Sequence, residues 1–198
     1  SNNPEGVDIK KVKDESGKPK DGIPFHPYYT VKDLFGAGFF LIIAAFILFF
    51  IPEFGGLFLE YDNFIPADPM VTPQHIKPVW YFTPYYAMLR AIPSYFGTQI
   101  WGVIVMGGAV LILFGLPWFD RCKVKSMRYR PMLHKILLTL FVISFVVLAY
   151  LGMQSGSPTQ TLVTRILTVY YFAFFLTMPF WSAMGQTKEV PSRVPDHD

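Results

Sequence analysis

Cysteine is almost absent from this sequence: Cys122 is the only one in 198 residues. A lone cysteine excludes an intramolecular disulfide and any cysteine-rich metal or iron–sulfur site. Charge is scarce as well. Asp, Glu, Lys and Arg make up 16% of the chain, against about 25% in an ordinary soluble domain. The net charge is only +3 and no polar low-complexity run is present, which excludes disorder, a fibrous fold and nucleic-acid binding as descriptions of the whole chain. What the chain has is apolar and aromatic: 52% hydrophobic residues, with 20 Phe, 11 Tyr and 4 Trp, and a mean hydropathy of +0.35. The length suits one ordinary domain, and so much aromatic surface is hard to hide in one water-soluble core. The chain opens at Ser1 rather than Met, which reads as a processed chain or a segment of a longer one.

Four stretches carry no charge: residues 34–52, 96–119, 136–154 and 166–186. Each is close to or above the roughly 20 residues needed to cross a bilayer core. They are apolar all round, where a helix on a soluble core would show a stripe. The second contains Gly102, Gly107, Gly108 and Gly115, small residues that let helices pack closely. The fold class expected is therefore all-α integral membrane, with four transmembrane helices and a long outer loop carrying short interfacial helices. Residues 1–33 read as an inner-side segment, 34–186 as the membrane domain with its outer loop at 53–95, and 187–198 as a polar tail.

Charge sets the topology. Lys10, Lys11, Lys13, Lys18, Lys20 and Lys32 precede the first span, and Arg121, Lys123, Lys125, Arg128, Arg130 and Lys135 lie between the second and third. The 53–99 loop has only Lys77 and Arg90 against four acids. The positive-inside rule then puts both termini and the 120–135 loop on the cytoplasmic side, in agreement with an even number of spans. The basic inner loop is also suited to anionic lipid head groups.

The outer loop is too long for a simple connection. Pro66, Pro69, Pro73, Pro78, Pro84 and Pro93 stiffen it. Between Val79 and Ile92 runs an apolar aromatic stretch too short to span, expected as one or two short helices at the interface or dipping below it. Trp80, Tyr81, Phe82, Tyr85 and Tyr86 could wall a cavity for a flat apolar redox ring such as a quinone. An aromatic interface belt would look the same in sequence.

Longer strings carry more information. Ser1-Asn2-Asn3-Pro4 and Pro24-Phe25-His26-Pro27-Tyr28-Tyr29-Thr30-Val31-Lys32-Asp33 resemble the connection between the fourth and fifth helices of cytochrome b. Ala67-Asp68-Pro69, Thr72-Pro73-Gln74-His75-Ile76-Lys77-Pro78-Val79-Trp80-Tyr81-Phe82 and Ala87-Met88-Leu89-Arg90-Ala91-Ile92-Pro93 resemble its outer loop. Asp120-Arg121 and Ser126-Met127-Arg128-Tyr129-Arg130-Pro131 resemble the inner loop after its sixth helix. The matches keep their order along nearly the whole chain, which resembles the C-terminal half of cytochrome b from a ubiquinol–cytochrome c reductase.

The resemblance implies a quinol-oxidising site near the outer face, with Pro78, Val79, Trp80, Tyr81, Phe82, Tyr86 and Pro93 among its walls. It implies a quinone-reducing site near the inner face, with Ser1, Asn2, Phe25, Lys32 and Asp33, the last two acting in proton transfer. The family's usual Pro-Glu-Trp-Tyr motif stands here as Pro78-Val79-Trp80-Tyr81. Valine cannot accept a proton, so that role passes to another group: Glu60, Asp62, Asp68 or His75, or a relay through Tyr81 or Tyr86. A plainer reading of the inner residues makes Lys32 a topological anchor and Asp33 the N-cap of a helix starting at Leu34.

The implied substrates are ubiquinol and ubiquinone. Two b-type haems belong to the complex, ligated outside this segment, because the histidines at 26, 75, 134 and 197 form no pair within the spans. The implied partners are the haem-bearing N-terminal half of cytochrome b, an iron–sulfur subunit docking on the outer loop, a cytochrome c-type subunit, a second copy in a homodimer, and membrane lipid. The implied location is a bacterial inner membrane in preference to a mitochondrial one. A naturally split subunit IV of a plastoquinol–plastocyanin reductase ordinarily has three spans and keeps the motif glutamate. A non-catalytic scaffold or transporter bundle would carry charged or broken residues inside its spans.

Overall fold

The computed structural model describes residues 11–56, 58–59, 61–71 and 76–194. Helices dominate them, and they form two compact units. One holds the described residues of 11–52, 124–131 and 186–194; the other holds those of 53–123 and 132–185.

In the first unit, α1 spans Tyr28–Phe50 and buries no residue. It starts six residues ahead of the charge-free stretch, because a hydrogen-bonded turn already forms at Phe25: the Tyr29 N–H donates to the Phe25 carbonyl at 2.8 Å, and that of Val31 to Pro27 at 2.9 Å. It ends where Ile51 turns out of helical geometry ahead of Pro52, whose ring disfavours a helical predecessor. The polar part of this unit is tied together by side chains and backbone. Arg193 pairs with Asp21 at 2.7 Å, and the Lys188 N–H donates to the Tyr129 carbonyl at 2.8 Å.

In the second unit, α2 is Thr83–Ala91, α3 is Ile100–Leu111 and α4 is Leu116–Phe119. A short 3-10 turn at Ile112–Gly115 joins α3 to α4. The longer helices are α5, Met132–Met153, and α6, Pro158–Leu176, followed by the short α7, Met178–Trp181. Among the described residues, three helical stretches are long and apolar enough to cross a membrane: Tyr28–Phe50, Ile100–Phe119 and Met132–Met153.

The fourth expected span, 166–186, takes a different form. Its helix begins at Pro158, where Ser157 and Gln160 cap each other's backbone in a reciprocal capping box, an N-terminal stop signal strengthened by proline at the first helical position. Arg165 therefore lies inside the helix. The other end breaks at Thr177, and α7 restarts with Pro179 in its first turn, because proline cannot donate the hydrogen bond that would continue α6.

The core of this unit is aromatic. Phe141 of α5 stacks on Phe174 of α6 with ring centroids 4.4 Å apart, and meets Tyr171 at 5.5 Å and Phe175 at 5.2 Å. The Tyr171 hydroxyl donates to the Ala109 carbonyl of α3 at 2.8 Å, so α3, α5 and α6 converge on one ring. Outward-facing apolar groups such as Leu111, Phe114, Trp118 and Val169 remain exposed. So much contiguous apolar surface is unsuited to water and suited to lipid: this is a membrane protein.

Candidate functional site

The outer-loop residues singled out in the sequence gather at the start of α2. Val79 leads into a 3-10 turn at Trp80–Phe82, which passes directly into α2. Thr83 closes the junction, its hydroxyl donating to the Trp80 carbonyl at 2.6 Å. Trp80 and Tyr81 meet edge to face at 5.5 Å, and Tyr81 and Phe82 lie 4.9 Å apart. The three rings are 49%, 54% and 51% exposed, an aromatic face open to a flat apolar ligand. Pro78 and Val79 are half-buried, as is Pro93 just beyond α2. Tyr85 points away from this face and packs edge-on against Phe145 of α5 at 5.9 Å, so it belongs to the core.

Tyr86 is half-buried. Its hydroxyl donates to the Ile76 carbonyl at 3.1 Å, and the Arg90 guanidinium lies 5.1 Å from its ring centroid. A cavity of about 170 Å³ opens on the far part of α2, lined by Ala87, Arg90, Leu151, Ser155, Gln160 and Thr164 among others. Trp80, Tyr81 and Phe82 do not line it. Of the proposed proton acceptors, Asp62 and Asp68 are exposed, and Asp68 accepts a hydrogen bond from the Met70 N–H at 2.9 Å. Glu60 and His75 lie outside the described residues.

What holds α2 in place was not visible in the sequence motif. Thr83, Pro84, Ala87, Met88 and Ala91 are buried, packed against α3, α5 and α6. The expected interfacial helix is thus a core element of its unit. Two glycines make this possible. A Cβ on Gly152 of α5 would run into the Thr83 carbonyl, and one on Gly102 of α3 would stand 2.6 Å from the Leu89 carbonyl. Two arginines secure the C-terminal end of α2: one bonds a carbonyl there that lacks a helical partner, and the other, on α2 itself, bonds carbonyls at the end of α5. Arg165 of α6 donates through Nε to the Ala91 carbonyl at 2.7 Å. Arg90 donates to the Gln154 and Leu151 carbonyls at 2.8 and 3.1 Å. The glycines of the second charge-free stretch did signal close packing at Gly102, though not that the partner would be α2, and Gly152 carried no such signal. An arginine just before the last charge-free stretch was the available signal for the other contact.

Of the inner residues, Phe25 lies just ahead of α1 and Lys32 and Asp33 in its first two turns. Phe25 stacks on Tyr29 at 6.1 Å, and Lys32 Nζ lies 5.6 Å from the Tyr29 ring. Tyr29, Lys32 and Asp33 stand at i, i+3 and i+4, so one helix face carries them. The N-cap of α1 is Pro27, and Asp33 lies inside the helix. The reading of Asp33 as an N-cap is therefore overturned: hydrogen bonding begins at Phe25 and carries the start past it. Phe25, Lys32 and Asp33 are exposed. Ser1 and Asn2 lie outside the described residues.

A b-type haem needs an imidazole nitrogen available to the iron. His134 is fully buried in α5, but its Nε2 lies 3.2 Å from the Met184 carbonyl, and its ring stands edge-on to Trp181 at 5.3 Å. His26 is exposed, with Nδ1 3.3 Å from the Thr30 hydroxyl. No group of three or more His, Cys, Asp or Glu among the described residues could hold a metal ion. His134 Nδ1 is buried without a hydrogen-bond partner, but among the described residues each unit holds a single histidine, His26 in one and His134 in the other, so neither unit supplies a pair of imidazoles for a haem.

Comparison with known proteins agrees with the order of the strings. Residues 66–172 match the family described as cytochrome b (C-terminal)/b6/petD. Cytochrome b of Allochromatium vinosum is 58% identical over 198 residues, covering 98% of this chain and 48% of its own. Cytochrome b of Rhodospirillum rubrum is 49% identical over 178 residues, covering 90% of this chain and 40% of its own. A solved structure titled hyperthermophilic respiratory Complex III superposes with a TM-score of 0.76 at 36% identity, over 91% of this chain and 42% of that one. The chain thus spans about half or less of the length of the relatives it matches. The family match takes in the aromatic turn, α2 and both helices whose glycines admit it, and reaches Phe172 in α6; the chain belongs to the cytochrome b C-terminal family.

Proposed function

We propose that this chain is part of the cytochrome b subunit of a quinol–cytochrome c oxidoreductase and forms walls of two quinone sites. The observation that carries the reading is the exposed aromatic face of the Trp80–Tyr81–Phe82 turn, which runs directly into α2, with Tyr86, held at its ring and its hydroxyl, four residues beyond Phe82. A flat quinol ring lies against that face, with Pro78, Val79 and Pro93 bounding it. Oxidation of a quinol releases two protons and two electrons, the electrons passing to the iron–sulfur subunit and the haem-bearing half of the complex. Val79 takes neither proton, so the protons leave to water. The Tyr86 hydroxyl, donating to the Ile76 carbonyl, still has a lone pair with which to accept a hydrogen bond from the quinol hydroxyl and orient it.

On the other side, Phe25, Tyr29, Lys32 and Asp33 form the wall of the quinone-reducing site. Asp33 delivers a proton to the reduced quinone and Lys32 stabilises the carboxylate left behind, roles suited to a paired acid and ammonium at a membrane edge. Residues 34–186 form one membrane domain of four spans, with α6 and α7 together making the fourth, and both termini are cytoplasmic. The chain works with a haem-bearing N-terminal half, an iron–sulfur subunit, a cytochrome c-type subunit and a second copy of the complex, in a bacterial plasma membrane with ubiquinone.

The test uses the whole complex in its native membrane, assayed for quinol-dependent cytochrome c reduction. Tyr86→Ala and Pro78→Ala should each lower turnover by about tenfold or more and weaken inhibitors of quinol oxidation, since misplacing a reacting ring costs on the order of a hundredfold. Asp33→Asn should slow only quinone reduction at the inner side. Normal turnover and normal inhibition in both outer variants would sink the outer-site assignment.

A further inference from the structure

Tyr86 and Arg90 stand four residues apart on α2, the spacing that brings side chains together on one helix face. The guanidinium carbon is 5.1 Å from the tyrosine centroid. The same guanidinium is held by the end of another helix: Nη1 donates to the Gln154 carbonyl at 2.8 Å and Nη2 to that of Leu151 at 3.1 Å. These carbonyls end α5 and carry the negative pole of its dipole. Arg90 is therefore a fixed plane with a cationic face on the Tyr86 ring. At its tip the ring is held again, by the hydroxyl's hydrogen bond to Ile76. Ile76 lies two residues ahead of Pro78, so the second contact restrains the backbone that leads into the aromatic turn.

We infer that Arg90 is a positioning residue for quinol oxidation: fixed by the α5 C-terminus, it sets the plane of the Tyr86 ring and, through the Tyr86–Ile76 hydrogen bond, the approach to Pro78–Phe82. Arg90 acts through Tyr86 and touches no reacting atom. The inference rests on the quinol-site reading above. A lysine keeps the charge but lacks the planar fork that bonds two carbonyls while stacking on a ring, so the residue type is part of the assignment. An arginine that merely capped α5 would stabilise the fold without any effect on how quinol binds.

The experiment is a double-mutant cycle in the intact complex, comparing wild type, Arg90→Gln, Tyr86→Leu and the double variant, with Arg90→Lys alongside. KM and kcat for a short-chain quinol are measured together with the melting temperature. Arg90→Gln should raise KM about twofold to fivefold, the range set by losing one ring–cation contact at an exposed guanidinium. Arg90→Lys should raise it measurably but by less. In the Tyr86→Leu background Arg90→Gln should add almost nothing. A lowered melting temperature with unchanged KM would overturn the inference, as would KM effects that multiply in the double variant. If Arg90→Gln fails to assemble, Arg90→Lys decides, and an unchanged KM there overturns the inference. Normal KM and kcat in Tyr86→Leu would overturn the quinol-site reading itself. A defect in Tyr86→Leu beside a silent Arg90→Gln would remove only the role of Arg90.

Discussion

α1 and α2 satisfy the same physical requirements in opposite ways. α1 has 23 residues and buries none of them, whereas α2 has nine and buries five. A long apolar helix meets its backbone hydrogen-bonding needs internally and can present its whole surface to lipid or to another helix. A nine-residue helix leaves a large share of its backbone groups without helical partners. α2 is held by what surrounds it: arginines at its C-terminal end, glycines where neighbouring helices approach its carbonyls, and the aromatic core beneath. Apolar length and burial are thus separate properties in this chain. The aromatic turn and Tyr86 sit on the element that depends most on its neighbours.

The sharpest test of that contrast is a pair of alanine substitutions. Gly152→Ala drives a Cβ into the Thr83 carbonyl, whereas Gly36 on α1 has nothing within 4 Å of where its Cβ would be. Overpacking typically costs about 1–3 kcal/mol and occasionally more, and here the clash is with backbone, so Gly152→Ala should strongly reduce the amount of assembled complex and its melting temperature. Gly36→Ala should change stability by no more than about 0.5 kcal/mol. An equal loss at Gly36 would break the comparison by revealing a close partner for α1.

A smaller effect is expected at Arg165. Replacing it with Met keeps the apolar stem but leaves the Ala91 carbonyl without its charged donor, a loss of about 1.5–3 kcal/mol. Thermal unfolding followed by loss of quinol oxidation should show the melting point falling. An unchanged melting point would mean that the glycine contacts alone hold α2.

The weakest effect belongs to the first unit. Hydrogen bonding to Arg193 holds the Asp21 carboxyl below its usual range. A depressed carboxyl contributes stability at pH above its unfolded value, and that contribution is lost as pH falls through the folded value. Protease cleavage near Lys188 should therefore be slow at neutral pH and faster below about pH 4. Asp21→Asn should cleave at the faster rate already at pH 7, and a pH-independent rate in the wild type would exclude the pair as the anchor of the tail.

Three of the charge-free stretches became long apolar helices because their composition leaves the backbone few alternatives. The boundaries moved where local chemistry outweighed hydropathy. The turn from Phe25 pulled α1 back to Tyr28, and Ser157-Pro158-Thr159-Gln160 placed the start of α6 eight residues ahead of expectation. That capping box is present in the sequence, but Arg165 interrupts the apolar run between it and the charge-free stretch. Its charge is answered by the Ala91 carbonyl of another helix, a contact hydropathy does not register. Around the candidate site, the aromatic turn and Tyr86 were legible as a run and as a family string. Tyr85 looked equivalent to Tyr86 and became core, since successive helical residues point about 100° apart and only one can face the open side.

The sequence by itself determined the membrane character, the apolar helices, the family and the identity of the aromatic residues, because these follow from composition and from strings read along the chain. Only the tertiary structure decided that α2 is a core element, that Gly152 and Gly102 admit its backbone, and that Arg90 lies across Tyr86 while bonded to the end of α5. The Gly152–Thr83 approach and the bonds from Arg90 to the end of α5 join groups more than sixty residues apart, and local sequence pattern carries no record of such a meeting.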